Sequence, residues 1–170
     1  LHAAGIAHVR ARDAMEGAYM AVNRDLAVDV AQKAKAAGVS QFLFLSSMLV
    51  YGSPAPAGKS RVIDARTAPA PENAYARSKL FAEEGIRALE GDGFRAAILR
   101  PPMVYGKGCR GNYQTLAIWA RRLPLFPNIE GARSVIYVEH LAELMRLIIE
   151  DGAAGIFCPQ NAECASATIL

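Results

Sequence analysis

Short apolar runs and stretches of helical periodicity alternate along the chain. Residues 41–47 (QFLFLSS) form a nearly continuous apolar run, which is typical of a parallel strand buried on both faces. Residues 95–100 (RAAILR), 134–138 (SVIYV) and 156–159 predict three further short strands. The double proline at 101–102 ends the second of these strands, because proline lacks the N–H that a strand ladder needs.

A helix is predicted before the first strand. Apolar residues recur every four positions through residues 22–30, and Gly38 provides a stop signal. Asp13 and Glu16 have the spacing of a capping pair near the start of this helix.

Three more helices are predicted between the later strands. Residues 52–73, rich in Pro, Gly, Ala and Ser, predict a surface loop, and Asn73 at its end can cap a helix over about 74–90. Residues 111–122 and 139–151 predict the other two, the latter with one apolar face. Strands that alternate with helices indicate an α/β fold built on a parallel sheet.

The composition is that of an ordinary folded protein, with 52% hydrophobic and 21% charged residues. The net charge is only +3 and the basic residues are spread along the chain, so neither nucleic acid nor a membrane is expected as a partner. No apolar run approaches the ~20 residues of a membrane span. The 3 cysteines form no CxxC pair and lack zinc-ligand spacing with the 3 histidines, which predicts reduced thiols, a cytoplasmic location and no metal site.

Tyr75 and Lys79 lie four residues apart in a predicted helix, so their side chains share one face. A free tyrosine has a pKa of about 10 and is a poor base, but a nearby ammonium group favours the phenolate and lowers that pKa. Such a phenolate can take the proton of an alcohol while hydride leaves the carbon. The alternative interpretation is a surface pair on a helix.

Ser46 and Ser47 end the first apolar run, and α/β sheets bind their ligands at the carboxyl ends of strands. A serine hydroxyl at this place can hydrogen-bond the same substrate oxygen. The alternative is that the two serines only cap the strand.

Three segments together resemble a known family. Residues 42–52 (FLFLSSMLVYG), 74–84 (AYARSKLFAEE) and 98–106 (ILRPPMVYG) resemble the extended short-chain dehydrogenases/reductases, in particular the NAD-dependent epimerase/dehydratase group that includes UDP-glucose 4-epimerase. The resemblance implies a Rossmann-like, doubly wound parallel sheet. Residues 1–108 would then be the C-terminal half of the dinucleotide-binding domain, and 109–170 part of a small substrate domain interleaved with the sheet.

The resemblance also implies roles for individual residues. Tyr75 matches the catalytic base, Lys79 its partner that also bonds the nicotinamide ribose, and Ser47, three residues before Val50, the catalytic hydroxyl. The start of the chain resembles the strand that passes the cofactor, and residues 101–104 the loop along the nicotinamide. The cofactor contacts implied in addition to Tyr75 and Lys79 are Ala3, Ala4, Gly5, Asn23, Pro101 and Met103. For Asn23 the alternative is a polar helix residue that makes local bonds.

Two downstream residues match contacts to the diphosphate of a nucleotide substrate. Asn112 resembles the family asparagine, and Arg133 the arginine, whose planar fork of donors suits phosphate. The alternative for Arg133 is a solvated charge at the start of a strand. Arg100 is interpreted as structural, ending a strand and pairing with backbone carbonyls.

Two departures from the family pattern matter. The glycine-rich GxxGxxG turn is absent, so the chain is interpreted as an internal piece of a longer polypeptide that lacks the first strands of the sheet; NAD is the expected cofactor and NADP stays open. The dehydratase branch places Asp and Glu directly after the catalytic hydroxyl. Here Met48 and Leu49 stand there, and they cannot transfer protons.

The resemblance, together with Met48 and Leu49, therefore implies nucleotide-sugar 4-epimerase chemistry: reversible hydride transfer between a sugar carbon and NAD, with a UDP-linked substrate and a homodimeric protein. One alternative is an NAD(P)H-dependent keto-sugar reductase with the same three residues. A second is a non-catalytic cofactor-binding protein or an inactive fragment.

Overall fold

The computed structural model describes residues 1–7, 15–55, 61–109 and 133–164. The first helical region consists of α1 (Met15–Tyr19), a π-helical segment (Met20–Asp25) and α2 (Leu26–Ala36); it is followed by α3 (Ala74–Arg87) and α4 (Val138–Glu150). The strands are β1 (Gln41–Leu45), β2 (Arg95–Leu99), β3 (Met103–Tyr105), β4 (Val135–Tyr137) and β5 (Gly155–Phe157). Within these described ranges, no helix has both the length and the apolar character needed to cross a membrane.

The main sheet is parallel, with the strand order β1-β2-β5. His2 forms a parallel bridge with Phe44 of β1, so the start of the chain lies along the other edge of that strand. A second parallel pair joins β3 to β4. The predicted α/β architecture with parallel strands is thus confirmed. The predicted helix over 111–122 and the residue Asp13 lie outside the described residues.

Helices cover both faces of the main sheet, which explains the continuous apolar run in β1. Phe42 and Phe44 pack against α2 and α3 in one apolar cluster, whereas Leu43 between them packs towards α4 in another. Strand residues alternate between faces, so a strand with both faces covered must be apolar at every position. This is the doubly wound arrangement that the resemblance implied.

Two differences from the prediction lie close to the predicted site. The strand predicted over 41–47 ends at Leu45, because Ser47 caps a short 3-10 helix, Met48–Tyr51, with its hydroxyl accepting from the Leu49 N–H at 3.2 Å. Residues 101–104 were predicted as a loop, but Met103 begins β3. The chain resumes an extended course after the double proline and pairs with β4.

The helix α3 begins at a defined cap. The Asn73 side chain accepts a hydrogen bond from the Ala76 N–H at 2.8 Å, as predicted for a residue that satisfies a free donor in the first turn. We expect Asn73→Ala to lower the free energy of unfolding by about 1 kcal/mol. Urea unfolding would measure this change. Asn73→Ser keeps an acceptor and is the control; an equal loss in both variants would contradict the role of the cap.

Candidate active site

Ser47 and Tyr75 meet at the carboxyl end of β1. Tyr75 lies in the first turn of α3, where the Ser47 side chain is near enough to its hydroxyl to favour the phenolate. The ring of Tyr19 stands edge-on to the Tyr75 ring, with centroids 5.9 Å apart. Ser47 and Tyr75, which come from separate segments of the chain, therefore lie side by side.

The protonation of Tyr75 differs from the prediction. Burial raises the pKa of Tyr75, the hydrogen bond from Ser47 opposes this rise, and the neighbouring Tyr19 adds to it. The predicted net lowering of the pKa of Tyr75 is wrong for this structure, in which that pKa is raised. The reason is that the phenol lies in a largely desolvated place, which penalises the phenolate.

Lys79 is buried one turn further along α3, with 5% of its surface exposed. Its ammonium donates to the Leu45 carbonyl at 2.9 Å and lies 4.8 Å from the centroid of the Phe44 ring. Burial lowers the pKa of Lys79 to about 8, and the Glu83 carboxylate opposes this effect. Lys79 thus points to the end of β1 and can change its charge in a mildly alkaline range.

The lowered pKa predicts a pH dependence of stability. In the folded state Lys79 loses its proton near pH 8, against 10.5 for its ordinary value. Between these two values the unfolded chain binds more protons, so the contribution of Lys79 makes stability rise with pH across this window. Below pH 8 Lys79 is charged in both the folded and the unfolded state, so its buried charge destabilises the fold by an amount that no longer changes with pH.

Lysine side-chain NMR should show one ammonium that titrates near pH 8 and disappears in Lys79→Met. The wild-type protein should also gain stability over this variant as the pH rises from 8 to 10.5, as measured by urea unfolding. A difference between the two proteins that stays constant with pH would contradict the assignment.

Asn23 joins the start of the chain to α3. It is fully buried in the π-helical segment, accepts from the Ile6 N–H at 2.9 Å and donates to the Ile6 carbonyl at 3.0 Å. Its amide also donates to the Ser78 hydroxyl at 3.1 Å. π-helical turns often occur at functional sites. Here the turn places an amide that holds the segment around Ile6 against α3.

A cavity of about 170 Å³ lies between the start of the chain and α3. Its lining residues are Ala3, Gly5, Ile6, Ala7, Leu45, Ser46, Tyr75 and Lys79. A Cβ at Gly5 would lie 2.9 Å from Asn23 Oδ1 and 3.3 Å from Lys79 Nζ, so a larger residue would close the cavity on this side. The structure thus brings Ala3, Gly5, Tyr75 and Lys79 of the predicted site to one cavity, with Asn23 directly beside it.

The other predicted contacts lie elsewhere. Ala4 is exposed and does not line the cavity, and Pro101 is buried, with its carbonyl accepting from the Met48 N–H at 3.0 Å. Met103 is in β3, where it pairs with Val135. The side chain of Arg133 is exposed, and Asn112 lies outside the described residues.

A buried polar network beside the site was not predicted as such. The guanidinium of Arg100 donates to both carboxylate oxygens of Glu83 and, at 2.7 Å, to the Tyr51 hydroxyl. Ser46 donates to the same carboxylate. The structural interpretation of Arg100 is confirmed, but its partners are side chains and not backbone carbonyls. The sequence signal was the position of Glu83, four residues after Lys79 on the same helix face.

The fold is a Rossmann-like α/β fold with parallel strands, and Ser47, Tyr75 and Lys79 lie together at the carboxyl end of β1. The sequence profile of the NAD dependent epimerase/dehydratase family matches residues 1–157, and the chain belongs to that family. The resemblance inferred from the three sequence motifs is confirmed.

Individual relatives agree with this assignment. The chain is 32% identical over 156 residues to a UDP-glucose 4-epimerase from Vibrio cholerae, with 88% of this chain and 47% of that protein covered. It thus spans about half the length of this relative. Among solved structures, the UDP-glucuronic acid 4-epimerase from Bacillus cereus in complex with NAD superposes with a TM-score of 0.80 at 20% identity, over 99% of this chain and 55% of that one. RMD from Pseudomonas aeruginosa, complexed with NADPH, superposes with a TM-score of 0.76 at 24% identity, over 98% of this chain and 62% of that one.

Proposed function

We propose that the protein is a nucleotide-sugar 4-epimerase that acts on a UDP-linked sugar by reversible hydride transfer with NAD. The observation that carries this proposal is that Tyr75 and Lys79, one turn apart on α3, line one cavity, while the Ser47 side chain acts on the Tyr75 hydroxyl beside it. The similarity to a UDP-glucose 4-epimerase supports the substrate class.

The cavity fits a dinucleotide at its nicotinamide end. The small residues Ala3 and Gly5 leave room at one wall, and the Lys79 ammonium at the other is a donor suited to a ribose hydroxyl. NAD, when bound, supplies the acceptor for hydride. NADP remains the alternative cofactor, because the segment that distinguishes the two in the family has no counterpart among the motifs of this chain.

The chain's own residues carry the proton and hold the oxygen. Tyr75 takes the proton of the sugar hydroxyl as hydride leaves the carbon, and Ser47 hydrogen-bonds the oxygen as it becomes a carbonyl. Because burial raises the pKa of Tyr75, the phenolate needs a nearby positive charge. Lys79 supplies that charge while it is protonated, so we expect activity to depend on its titration.

The residues after the catalytic hydroxyl favour epimerisation over dehydration. Met48 and Leu49 occupy the first turn of the 3-10 helix and are both half-buried. Neither can act as an acid or base. Elimination of water would need two such groups at this place, so the proposed reaction ends with the return of hydride to the keto intermediate.

The deciding experiment follows both sugar and cofactor in the full-length natural protein. With UDP-glucose, we expect UDP-galactose to form without net consumption of NAD or NADH. Stoichiometric oxidation of NADH or NADPH with a keto sugar would replace the epimerase by a reductase. Cofactor binding without conversion of either substrate would replace it by a non-catalytic binding protein.

A further inference from the structure

Three consecutive residues at the end of β1 bind three positions of α3 that are one turn apart. The Leu45 carbonyl accepts from Lys79, the Ser46 hydroxyl donates to Glu83, and the Ser47 side chain lies beside the Tyr75 hydroxyl and acts on its pKa. Residues 75, 79 and 83 lie on one face of the helix. The strand end is therefore fixed to the catalytic helix at three points, of which only two involve residues of the proposed catalytic set.

The contact between Ser46 and Glu83 is the most buried of the three. Glu83 is 1% exposed and Ser46 is 4% exposed. The Glu83 carboxylate accepts from Arg100 Nε at 3.1 Å on both oxygens and from Arg100 Nη2 at 2.5 Å, and Arg100 in turn donates to the Tyr51 hydroxyl. A buried carboxylate with an arginine fork and a serine on it has its lone pairs satisfied and its position determined.

We propose that Glu83 is a positioning residue of this active site: clamped by Arg100, it fixes through Ser46 the strand end that presents Ser47 to Tyr75 and the Leu45 carbonyl to Lys79. In its kinetic part this inference rests on the proposed function.

The geometry explains why this clamp, formed by Ser46, Glu83 and Arg100, is needed. Ser46 and Ser47 follow the last residue of β1, and Ser47 directly precedes the 3-10 helix, so few strand hydrogen bonds hold them. The backbone N–H groups of Ser46 and Met48 bond the carbonyls of Leu99 and Pro101, which fixes the path of the chain. The hydrogen bond between Ser46 and Glu83 then fixes how far this part of the chain lies from α3. An active-site displacement of 1 Å can cost about a hundredfold in rate.

The clamp also acts on the charge of Lys79. The charged or titratable groups around the ammonium are Glu83 and Tyr75 on α3 and His2 from the start of the chain. Glu83 is the anion among them, and it favours the protonated lysine against the effect of burial. A neutral residue at position 83 would therefore move the titration of Lys79 to lower pH.

The first test is Ser46→Ala, which removes the link and leaves the Glu83–Arg100 pair intact. In the full-length natural protein we expect kcat to fall about ten- to a hundredfold with little change in KM. Hydrogen exchange of the Leu49 amide, which bonds to Ser47 Oγ, should become faster. Ser46→Thr keeps a hydroxyl and should restore both values. Unchanged kcat and exchange in Ser46→Ala would overturn the proposal.

The second test is Glu83→Gln, with Glu84→Gln as the matched control, because Glu84 is the exposed neighbour on the same helix. In Glu83→Gln, lysine side-chain NMR should give a pKa of Lys79 below the wild-type value of about 8. In Glu84→Gln the pKa should stay at the wild-type value. A purely structural role for Glu83 would lower stability without moving this titration, and that result would overturn the electrostatic part.

The NMR and exchange measurements need no substrate. Their success together with absent epimerase turnover would refute the proposed reaction but not the clamp. Unmoved exchange and titration in an active epimerase would refute the clamp alone. If Glu83→Gln does not fold, Ser46→Ala still decides the proposal, because it leaves the buried ion pair in place.

Discussion

Tyr75→Phe is expected to lower kcat by about 10²–10⁴-fold, the usual contribution of a general base. The substitution removes only the hydroxyl, so the edge-on contact with the Tyr19 ring persists and the helix keeps its packing. The loss should exceed that expected from a missing hydrogen bond, because without the phenol nothing at this position can take the proton. Sugar interconversion by the full-length natural protein would measure it.

Two comparisons make this result specific. Tyr137→Phe alters a tyrosine at the end of β4, outside the residues that line the cavity, and should leave kcat nearly unchanged. Ser47→Ala combined with Tyr75→Phe should lose little more than Tyr75→Phe alone, because groups that act together on one oxygen are not additive. Equal activity of Tyr75→Phe and the wild-type protein would remove Tyr75 from the reaction.

The contact between Ser47 and Tyr75 was accessible from the sequence because both positions follow from local rules. A parallel strand buried on both faces shows as an apolar run, and ligands of such sheets lie where the run ends. A helix that starts at an asparagine cap places its first-turn residues at a fixed point, and the structure confirms that Asn73 is this cap. The catalytic roles of these residues remain a prediction.

What the sequence could not predict depends on long-range packing. The pKa of Tyr75 depends mainly on how deeply the phenol is buried, and this burial cannot be inferred from the spacing of residues along the chain. The strand β3 could not be identified beside the double proline, because β4, its partner among the described residues, lies about thirty residues further on. The Glu83–Arg100 pair likewise joins residues 17 positions apart in different elements.

That same pair predicts the largest effect on stability. Arg100 and Glu83 have side chains that are 5% and 2% exposed, and the guanidinium is the cation that compensates the buried carboxylate. Arg100→Leu would leave Glu83 charged without its partner, or force it to take up a proton. We expect the free energy of unfolding to fall by about 3–5 kcal/mol, the usual cost of breaking a buried ion pair. Urea unfolding would measure this loss.

An exposed arginine provides the matched control. Arg146 contacts two carboxylates, Glu143 and Glu150, but all three side chains are about half exposed, so Arg146→Leu should cost far less. A double variant, Arg100→Leu with Glu83→Leu, should recover much of the stability lost in Arg100→Leu, since it leaves no unpaired charge. The recovered protein should still have low kcat, because Ser46 then has no carboxylate to bind. Recovery of stability together with full activity would show that the ion pair serves the fold alone.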